Sequence, residues 1–144
     1  MRRLIAIAAV ALAPAVAAAQ APQFITSNAR SIAPFSPAVR VGNMLYLAGQ
    51  LGTDDNNKLA EGGIGPETKQ ALTNIKKLLE ANGSDMEHVV KCTVFMADMK
   101  EWPAMNDVYR TMFTAGRFPA RSAFGATGLA LNGRTEIECM AVVK

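Results

Sequence analysis

The sequence predicts an α+β fold in which two helices back a mixed β-sheet, with the elements in the order β-β-α-β-α-β-β. Apolar residues recur at helical spacing over 66–84 and 100–114, and strand-like runs lie before, between and after these stretches. Right-handed crossovers then place both helices on one face of the sheet. No further element remains to cover the opposite face, so we expect an oligomer to bury it. The strand residues that look too apolar for an exposed surface are Val90, Val94, Ile137 and Val142.

The first half of the chain predicts an irregular start, two strands and a helix. Residues 20–37 are punctuated by prolines and are expected to be irregular. Two short strands follow within 38–52, on either side of a turn at Gly42-Asn43. The first helix begins at Pro66 and stops at Gly83, residue types that suit these positions. Its expected core-facing residues are Ala71, Leu72, Ile75, Leu78 and Leu79.

The second half predicts a strand, a helix and two closing strands. Ser84 and Glu87 resemble a capping box for one short turn. The run at 88–99 is a strand whose apolar centre indicates an internal position in the sheet. The closing strands, RSAFGAT and RTEIECMAVVK, are joined by a turn at Asn132-Gly133. The helix over 100–114 carries a core-facing stripe of Trp102, Met105, Tyr109, Met112 and Phe113.

Residues 1–19 have the pattern of a cleavable secretory signal, with two arginines, an apolar run and small residues at 17–19. The run is too short to span a bilayer, which takes about 20 apolar residues. An uncleaved amphipathic anchor or a misread start stays open. We expect one domain over 20–144, in a periplasmic or secreted protein without stable membrane insertion.

The charge of this domain excludes a protein that binds nucleic acid through electrostatic attraction. The full chain has 15 basic and 12 acidic residues, and two of the basic residues lie in the signal segment, so the domain carries about +1. A near-neutral domain without a Lys/Arg run offers no footprint for nucleic acid or anionic membrane. We therefore expect no nucleic-acid partner.

The cysteines and the single histidine give no metal site. Cys92 and Cys139 each lie within a strand-like run, and we favour two buried free thiols over a disulfide. His88 opens a strand, where a solvated strand end is expected. Neither cysteine has a partner at metal-ligand spacing, so no metal or cofactor is predicted.

One arginine in a strand raises the main functional question. Arg121 follows Phe118, Pro119 and Ala120 in an apolar run, where an isolated guanidinium is costly to desolvate unless an anion meets it. By strand alternation the acids Glu136 and Glu138 share one face of the next strand. Either one of these acids pairs with Arg121, or Arg121 binds an anion from outside; the residues alone leave both open.

Six segments carry a recognisable pattern: VGNMLYLAGQLG, QALTNIKKLLEANG, VVKCTVFMADM, NDVYRTMF, FPARS and TEIECMAV. Together they resemble the Rid family of reactive-intermediate deaminases, also called YjgF/YER057c/UK114, over 32–144. The resemblance implies a chorismate-mutase-like fold, a homotrimer and sites in the clefts between subunits. It also implies cofactor-free hydrolysis of 2-iminopropanoate, 2-iminobutanoate and related imines, formed from enamines, to 2-oxo acids and ammonia.

The same resemblance implies roles for particular residues. Arg121 matches the arginine that binds the substrate carboxylate, and Glu136 matches the glutamate that positions the attacking water. Gly49 matches the backbone that lines the pocket, and Asn106 matches the family's asparagine on the second helix. A guanidinium grips a carboxylate through two parallel hydrogen bonds, and a carboxylate can deprotonate a water and later return the proton. Glu138 is kept as the lesser candidate for the water.

The pocket departs from the family pattern at several positions. Phe35 stands where a tyrosine hydroxyl is usual, and Ala33 replaces a glycine. Ala123, Phe124 and Gly125 stand where a cysteine, a valine and a glutamate are usual. With Phe35, Ala123 and Phe124 lining the site, one hypothesis is hydrolysis of imines with a different or bulkier side chain. The alternative is a non-catalytic binder of small carboxylates; an RNA-binding or endoribonuclease function is a third, disfavoured hypothesis.

Overall fold

The computed structural model describes residues 20–26 and 34–144. The segments 1–19 and 27–33 lie outside the described residues, and the predicted signal and Ala33 lie there too. Within the described ranges, no helix is both long and apolar enough to cross a membrane.

Among the described residues, seven strands form one mixed sheet, and two α-helices share a single hydrophobic core with it. The strand order is β1-β2-β3-β7-β5-β6, with the short β4 also paired to β7. Of the strand pairs in this part of the chain, β5 and β6 run parallel and the others are antiparallel. The elements are β1 (Gln23–Ile25), β2 (Ala38–Val41), β3 (Met44–Leu47), β4 (Gln50–Leu51), α1 (Ile64–Ala81), β5 (Val89–Met96), α2 (Trp102–Tyr109), β6 (Ala120–Gly125) and β7 (Thr135–Val142).

The predicted fold class is confirmed, with two additional strands. The segment expected to be irregular contains β1, which pairs with β2, and the first strand pair is followed by β4. The helix α2 is shorter than predicted, but 3-10 turns at Met99–Glu101 and Arg110–Met112 extend it to nearly the predicted length.

The buried face of α1 is the one that the spacing of its apolar residues predicts. Ala71, Leu72, Ile75 and Leu79 are fully buried, and Leu78 is partly buried against the core. The helix begins two residues before Pro66, and Gly83 adopts a φ of 76° just after its end. A left-handed residue at this point is a common helix stop, because glycine has no Cβ to clash.

The predicted capping box at Ser84 is wrong. The Ser84 hydroxyl donates to the Val142 carbonyl, whereas the Asp85 carboxylate accepts from the backbone N–H groups of Glu87 and His88. Hydrogen bonds from His88 and Lys144 hold the pKa of Asp85 well below its usual range. His88 is therefore a partner of Asp85 (Nδ1 to Oδ1, 2.7 Å) rather than only a solvated strand end.

The closing strands are not neighbours in the sheet. β6 pairs only with β5, and β7 lies on the other side of β5, between β5 and β3. After β6 the chain turns through Leu131 and Asn132, which have φ of 56° and 59°. β7 then enters the middle of the sheet, and the strands of Arg121 and Glu136 are separated by β5.

The prediction of two free thiols is wrong: Cys92 and Cys139 form a disulfide. The cysteines lie directly opposite each other on antiparallel neighbours β5 and β7, with their Cα atoms 4.1 Å apart. Both side chains face the helices and are buried. Cross-strand register, rather than a loop, brings the two sulfur atoms together.

Removing this disulfide is expected to lower the free energy of unfolding by about 4 kcal/mol, because it closes a long loop in the unfolded chain. The bridged residues are 47 positions apart. Denaturant unfolding of the Cys92→Ala/Cys139→Ala variant measures the change, and wild-type protein unfolded with a reductant controls for altered packing. Two titratable thiols in the denatured, unreduced protein would contradict the disulfide.

Among the described residues no element covers the sheet face opposite the helices, as predicted, but two of its expected residues are misassigned. Val94 and Ile137 are fully buried because they face the helices. Val90, at the register shift in β5, is exposed as expected, and the other exposed apolar residues of the open face are Tyr46, Phe124 and Met140. An internal strand is apolar on both faces, so its sequence does not show which residues face outward.

Candidate functional site

Arg121 lies on the edge strand β6, with its half-buried side chain turned toward α2. Its Nη2 donates to the Asn106 Oδ1 at 2.8 Å. Its guanidinium carbon lies 4.4 Å from the ring centroid of Tyr109 and 5.7 Å from that of Trp102. Among the described residues no carboxylate forms an ion pair with Arg121. Of the two possibilities left open by the sequence, the internal pair is absent from the described chain.

The two aromatic rings hold the guanidinium without neutralising it. A cation above an aromatic face is attracted by the ring quadrupole and keeps its full charge. Burial raises the pKa of Tyr109 to about 12, against the opposite effect of the Arg121 cation, so the phenol is neutral at ordinary pH. The Tyr109 hydroxyl has no hydrogen-bond partner among the described residues. Arg121 thus retains an uncompensated positive charge.

This guanidinium faces a cavity of about 430 Å³. The volume lies within the range of small-molecule pockets. Its lining combines two cations, an amide and three apolar or aromatic rings: Asn106, Tyr109, Arg110, Phe118, Pro119 and Arg121.

Glu136 lies on β7, where its side chain faces the open side of the sheet. It is opposite Leu51 of β4 and Phe95 of β5. Its carboxyl group lies against Gly49: a Cβ at that glycine would overlap the carboxylate, with the Glu136 Cδ at only 2.9 Å. Gly49 therefore provides the space that the Glu136 carboxyl group occupies, which gives the predicted pocket-lining glycine a physical role.

The predicted site residues fall into two groups on opposite faces of the sheet. Arg121 is in register with Cys92, and Cys92 with Cys139, so Arg121 shares the helix-facing side. Glu136 is three residues from Cys139, and side chains alternate along a strand, so Glu136 faces the other way. We call Arg121 and Asn106 the arginine half-site, and Glu136, Gly49 and Phe124 the glutamate half-site.

This division places the predicted pocket-lining residues on different faces of the sheet of one chain. Ala123 and Phe124 were expected to line one site with Phe35, but Ala123 packs against the core and Phe124 faces the open side. Phe124 contacts Phe95 edge to face, with centroids 4.9 Å apart, and Phe95 is the register partner of Glu136. Phe35 is 65% exposed and contributes to neither half-site's described contacts. One chain alone does not bring Arg121 and Glu136 together.

Glu138 shares the open face with Glu136 but has different surroundings. It lines a depression of about 140 Å³ with Tyr46, Lys91, Thr93 and Met140. No glycine leaves room beside it as Gly49 does beside Glu136. The geometry therefore favours Glu136 as the acid of the glutamate half-site.

Sequence reasoning missed what the aromatic stripe of α2 does. Trp102 and Tyr109 are both predicted to be core residues. Tyr109 is buried, but the prediction for Trp102 is wrong, because its side chain is 36% exposed. Both rings flank Arg121. Arg110 and Phe118 were not singled out. Helical spacing offered a signal, because Asn106 and Arg110 are four residues apart and share a face of α2. Within the described residues no group of three or more His, Cys, Asp or Glu could hold a metal ion.

Proteins of one known family are similar to this chain in sequence and in structure. Residues 26–143 match the family model described as Endoribonuclease L-PSP. A goat (Capra hircus) protein named 2-iminobutanoate/2-iminopropanoate deaminase is 47% identical over 113 residues, which cover 78% of this chain and 82% of that protein. The crystal structure of yeast Mmf1 matches with a TM-score of 0.79 and 32% identity, over 86% of this chain and 100% of that one. RidA from the Antarctic bacterium Psychrobacter sp. PAMC 21119 matches with a TM-score of 0.76 and 32% identity, over 84% and 99%.

Proposed function

We propose the function of this chain from one premise: it belongs to the endoribonuclease L-PSP family, which is the Rid/YjgF family that its sequence resembles. The chain hydrolyses 2-imino acids of the 2-iminobutanoate and 2-iminopropanoate type to 2-oxo acids and ammonia. The observation that carries the proposal is Arg121, a guanidinium held by an amide and two aromatic rings, with no ion pair among the described residues. Its charge is available to an anionic substrate.

The arginine half-site binds the substrate by its acid end. The planar guanidinium donates two parallel hydrogen bonds to the α-carboxylate, and the side-chain amide of Asn106 fixes the direction of the fork. This places the C=N carbon, which is bonded to the carboxylate carbon, at a fixed distance from Arg121. Orientation of this kind lowers the barrier because the reacting carbon no longer has to be positioned by chance.

The glutamate half-site supplies the acid–base step. The Glu136 carboxylate accepts a proton from a water as the water oxygen bonds to the imine carbon, and it passes this proton to the imine nitrogen, which gives a neutral carbinolamine. Glu136 then accepts the carbinol hydroxyl proton and delivers it to the nitrogen as the C–N bond breaks, so that the C=O bond forms and ammonia leaves. One carboxylate serves both transfers, so the step balances without any other reactant.

Both half-sites meet only when a second copy of the chain is present. Arg121 and Glu136 face opposite sides of one sheet, and the open face carries exposed apolar side chains. A contact between the β6 edge of one copy and the open face of the next is head-to-tail, and such contacts form a ring when the rotation between neighbouring copies closes. The homotrimer implied by the family resemblance is one such ring, with three shared sites.

Export of the protein is the second part of the proposal. The signal-like pattern of 1–19 is joined by the Cys92–Cys139 disulfide, since structural disulfides persist in oxidising compartments and are rare in the cytosol. Protease protection of the processed chain within intact cells, compared with its release by outer-membrane disruption, tests a periplasmic location.

Imine turnover is the direct test of the activity. An amino-acid oxidase generates 2-iminopropanoate and 2-iminobutanoate in situ, semicarbazide traps what remains, and the chain beginning at Gln20 is added. We expect imine loss faster than in buffer, and a decrease of roughly 100-fold or more in Arg121→Ala and Glu136→Gln. Arg117→Ala is the matched control, because Arg117 is exposed and pairs with Glu87 at 3.5 Å, outside the cavity lining.

A folded oligomer with no turnover would overturn the deaminase proposal. Calorimetric binding of 2-oxobutanoate that Arg121→Ala abolishes, without any imine hydrolysis, would instead identify a non-catalytic carboxylate binder.

A further inference from the structure

A second guanidinium, that of Arg110, lines the same cavity as Arg121. Arg110 follows α2 directly, and its backbone N–H still bonds to the Asn106 carbonyl, so helical geometry continues to this residue. Residues four apart on a helix have Cβ atoms about 5–6 Å apart and project from the same face. The Asn106 side chain, which contacts Arg121, is thus the immediate neighbour of Arg110.

Arg110 has no anionic partner among the described residues. None of the ion pairs there includes it, and its side chain makes no hydrogen bond, whereas the nearby Arg117 pairs with Glu87. The acid closest in sequence, Asp107, is exposed and does not line the cavity. The lining contains two cations and no carboxylate. Such a cavity concentrates anions, and it attracts a dianion more strongly than a monoanion.

Besides the two charges the cavity offers apolar surface. Phe118 and Pro119 precede β6 and line the cavity with Tyr109. Phe118 is 48% exposed, which leaves much of its ring available to a ligand. A ligand with a carboxylate at each end and methylene groups between them matches a lining that combines two cations with apolar surface.

We propose that the preferred substrates are 2-imino dicarboxylates such as 2-iminoglutarate, with the α-carboxylate on Arg121 and the distal carboxylate on Arg110. This rests on the proposed imine hydrolysis and adds its substrate class. The reaction is unchanged: water adds to the C=N carbon, and a 2-oxo dicarboxylate and ammonia are released. Arg110 is a specificity-determining residue, because it contacts the part of the substrate that does not react.

The test compares two imines in the same oligomeric protein. Glutamate and 2-aminobutanoate are converted to 2-iminoglutarate and 2-iminobutanoate by the appropriate oxidases, and kcat/KM is measured for each. We expect Arg110→Ala to lower kcat/KM for 2-iminoglutarate roughly tenfold, mainly through KM, because an exposed charge-assisted contact is lost. The value for 2-iminobutanoate should change less than about twofold. Arg110→Lys, which keeps the charge without the planar fork, should recover part of the loss.

The controls separate this inference from the function on which it rests. Arg117→Ala removes a similar exposed arginine outside the cavity and should change neither substrate. Turnover of 2-iminobutanoate with no response of 2-iminoglutarate to Arg110→Ala would overturn the dicarboxylate proposal alone. Failure to hydrolyse either imine would overturn the proposed function itself. As a second measurement, 2-oxoglutarate should inhibit wild type more strongly than 2-oxobutanoate, and this difference should vanish in Arg110→Ala.

Discussion

Mixing two variants that we expect to be inactive, Arg121→Ala and Glu136→Gln, should restore about a quarter of the wild-type imine hydrolysis. The two side chains face opposite sides of the sheet in one chain, so in the proposed ring each site takes its arginine from one copy and its glutamate from the next. In a ring assembled from equal amounts of both variants, half of the arginine half-sites and half of the glutamate half-sites are intact. Random pairing gives about one intact site in four, whatever the number of subunits. The measurement is turnover after co-unfolding and refolding of the mixture.

The matched control mixes wild type with the double variant Arg121→Ala/Glu136→Gln. This mixture contains the same side chains in the same amounts, and a shared site again predicts about a quarter of full activity. A site built within one chain predicts something different, namely half activity in the control and none in the mixture of single variants. No recovery in the test mixture, with half activity in the control, would contradict the shared site.

Gly49→Ala has the second largest expected effect, a decrease in kcat of roughly 100-fold with little change in KM. The added methyl would occupy the space of the Glu136 carboxyl group, whose Cδ lies 2.9 Å from the Cβ position. The side chain must swing away, so we expect loss of the water that Glu136 is proposed to orient, and no change in the proposed contact of Arg121 with the substrate carboxylate. Steady-state kinetics on 2-iminobutanoate separate the two parameters.

Gly128→Ala is the control for this substitution, because a Cβ there meets no atom within 4 Å, and wild-type activity is expected. The pair of variants also distinguishes the two candidate acids. Full activity in Gly49→Ala would show that the water is not directed by Glu136, and Glu138→Gln would then be the variant to examine.

Local patterns in the sequence predicted elements and faces well. The apolar spacing of Ala71, Leu72, Ile75 and Leu79 is strictly helical, so the buried face of α1 was determined before any tertiary contact was known. The internal position of β5 followed from its unbroken apolar centre in the same way. These properties are local, since they depend on residues a few positions apart.

Neighbour relations in the sheet could not be predicted, because strand alternation defines faces within one strand but not the register between strands. Cys92 and Cys139 illustrate this: each looked like a buried strand residue, and only the pairing of β5 with β7 places them opposite each other. The separation of Arg121 from Glu136 has the same cause, since β7 pairs with the far side of β5.

The candidate site residues came from the family resemblance, and physical patterns alone would not have separated them from structural ones. Trp102 and Tyr109 show why: an aromatic stripe at helical spacing is typical of a core, and Tyr109 is a core residue that also flanks Arg121. The Tyr109 ring both packs in the core and contacts Arg121. Its position in the aromatic stripe therefore carries no separate signal for the contact with Arg121.

The aromatic support of Arg121 also affects what binding costs in conformational entropy. A free arginine side chain has about 2 kcal/mol of rotamer freedom, and a flexible site gives up much of it each time a ligand is held. Arg121 is already confined between Tyr109, Trp102 and the amide of Asn106. Arg121 loses this rotamer freedom once, when the chain folds. Binding of a small anion therefore does not carry the same entropy cost again.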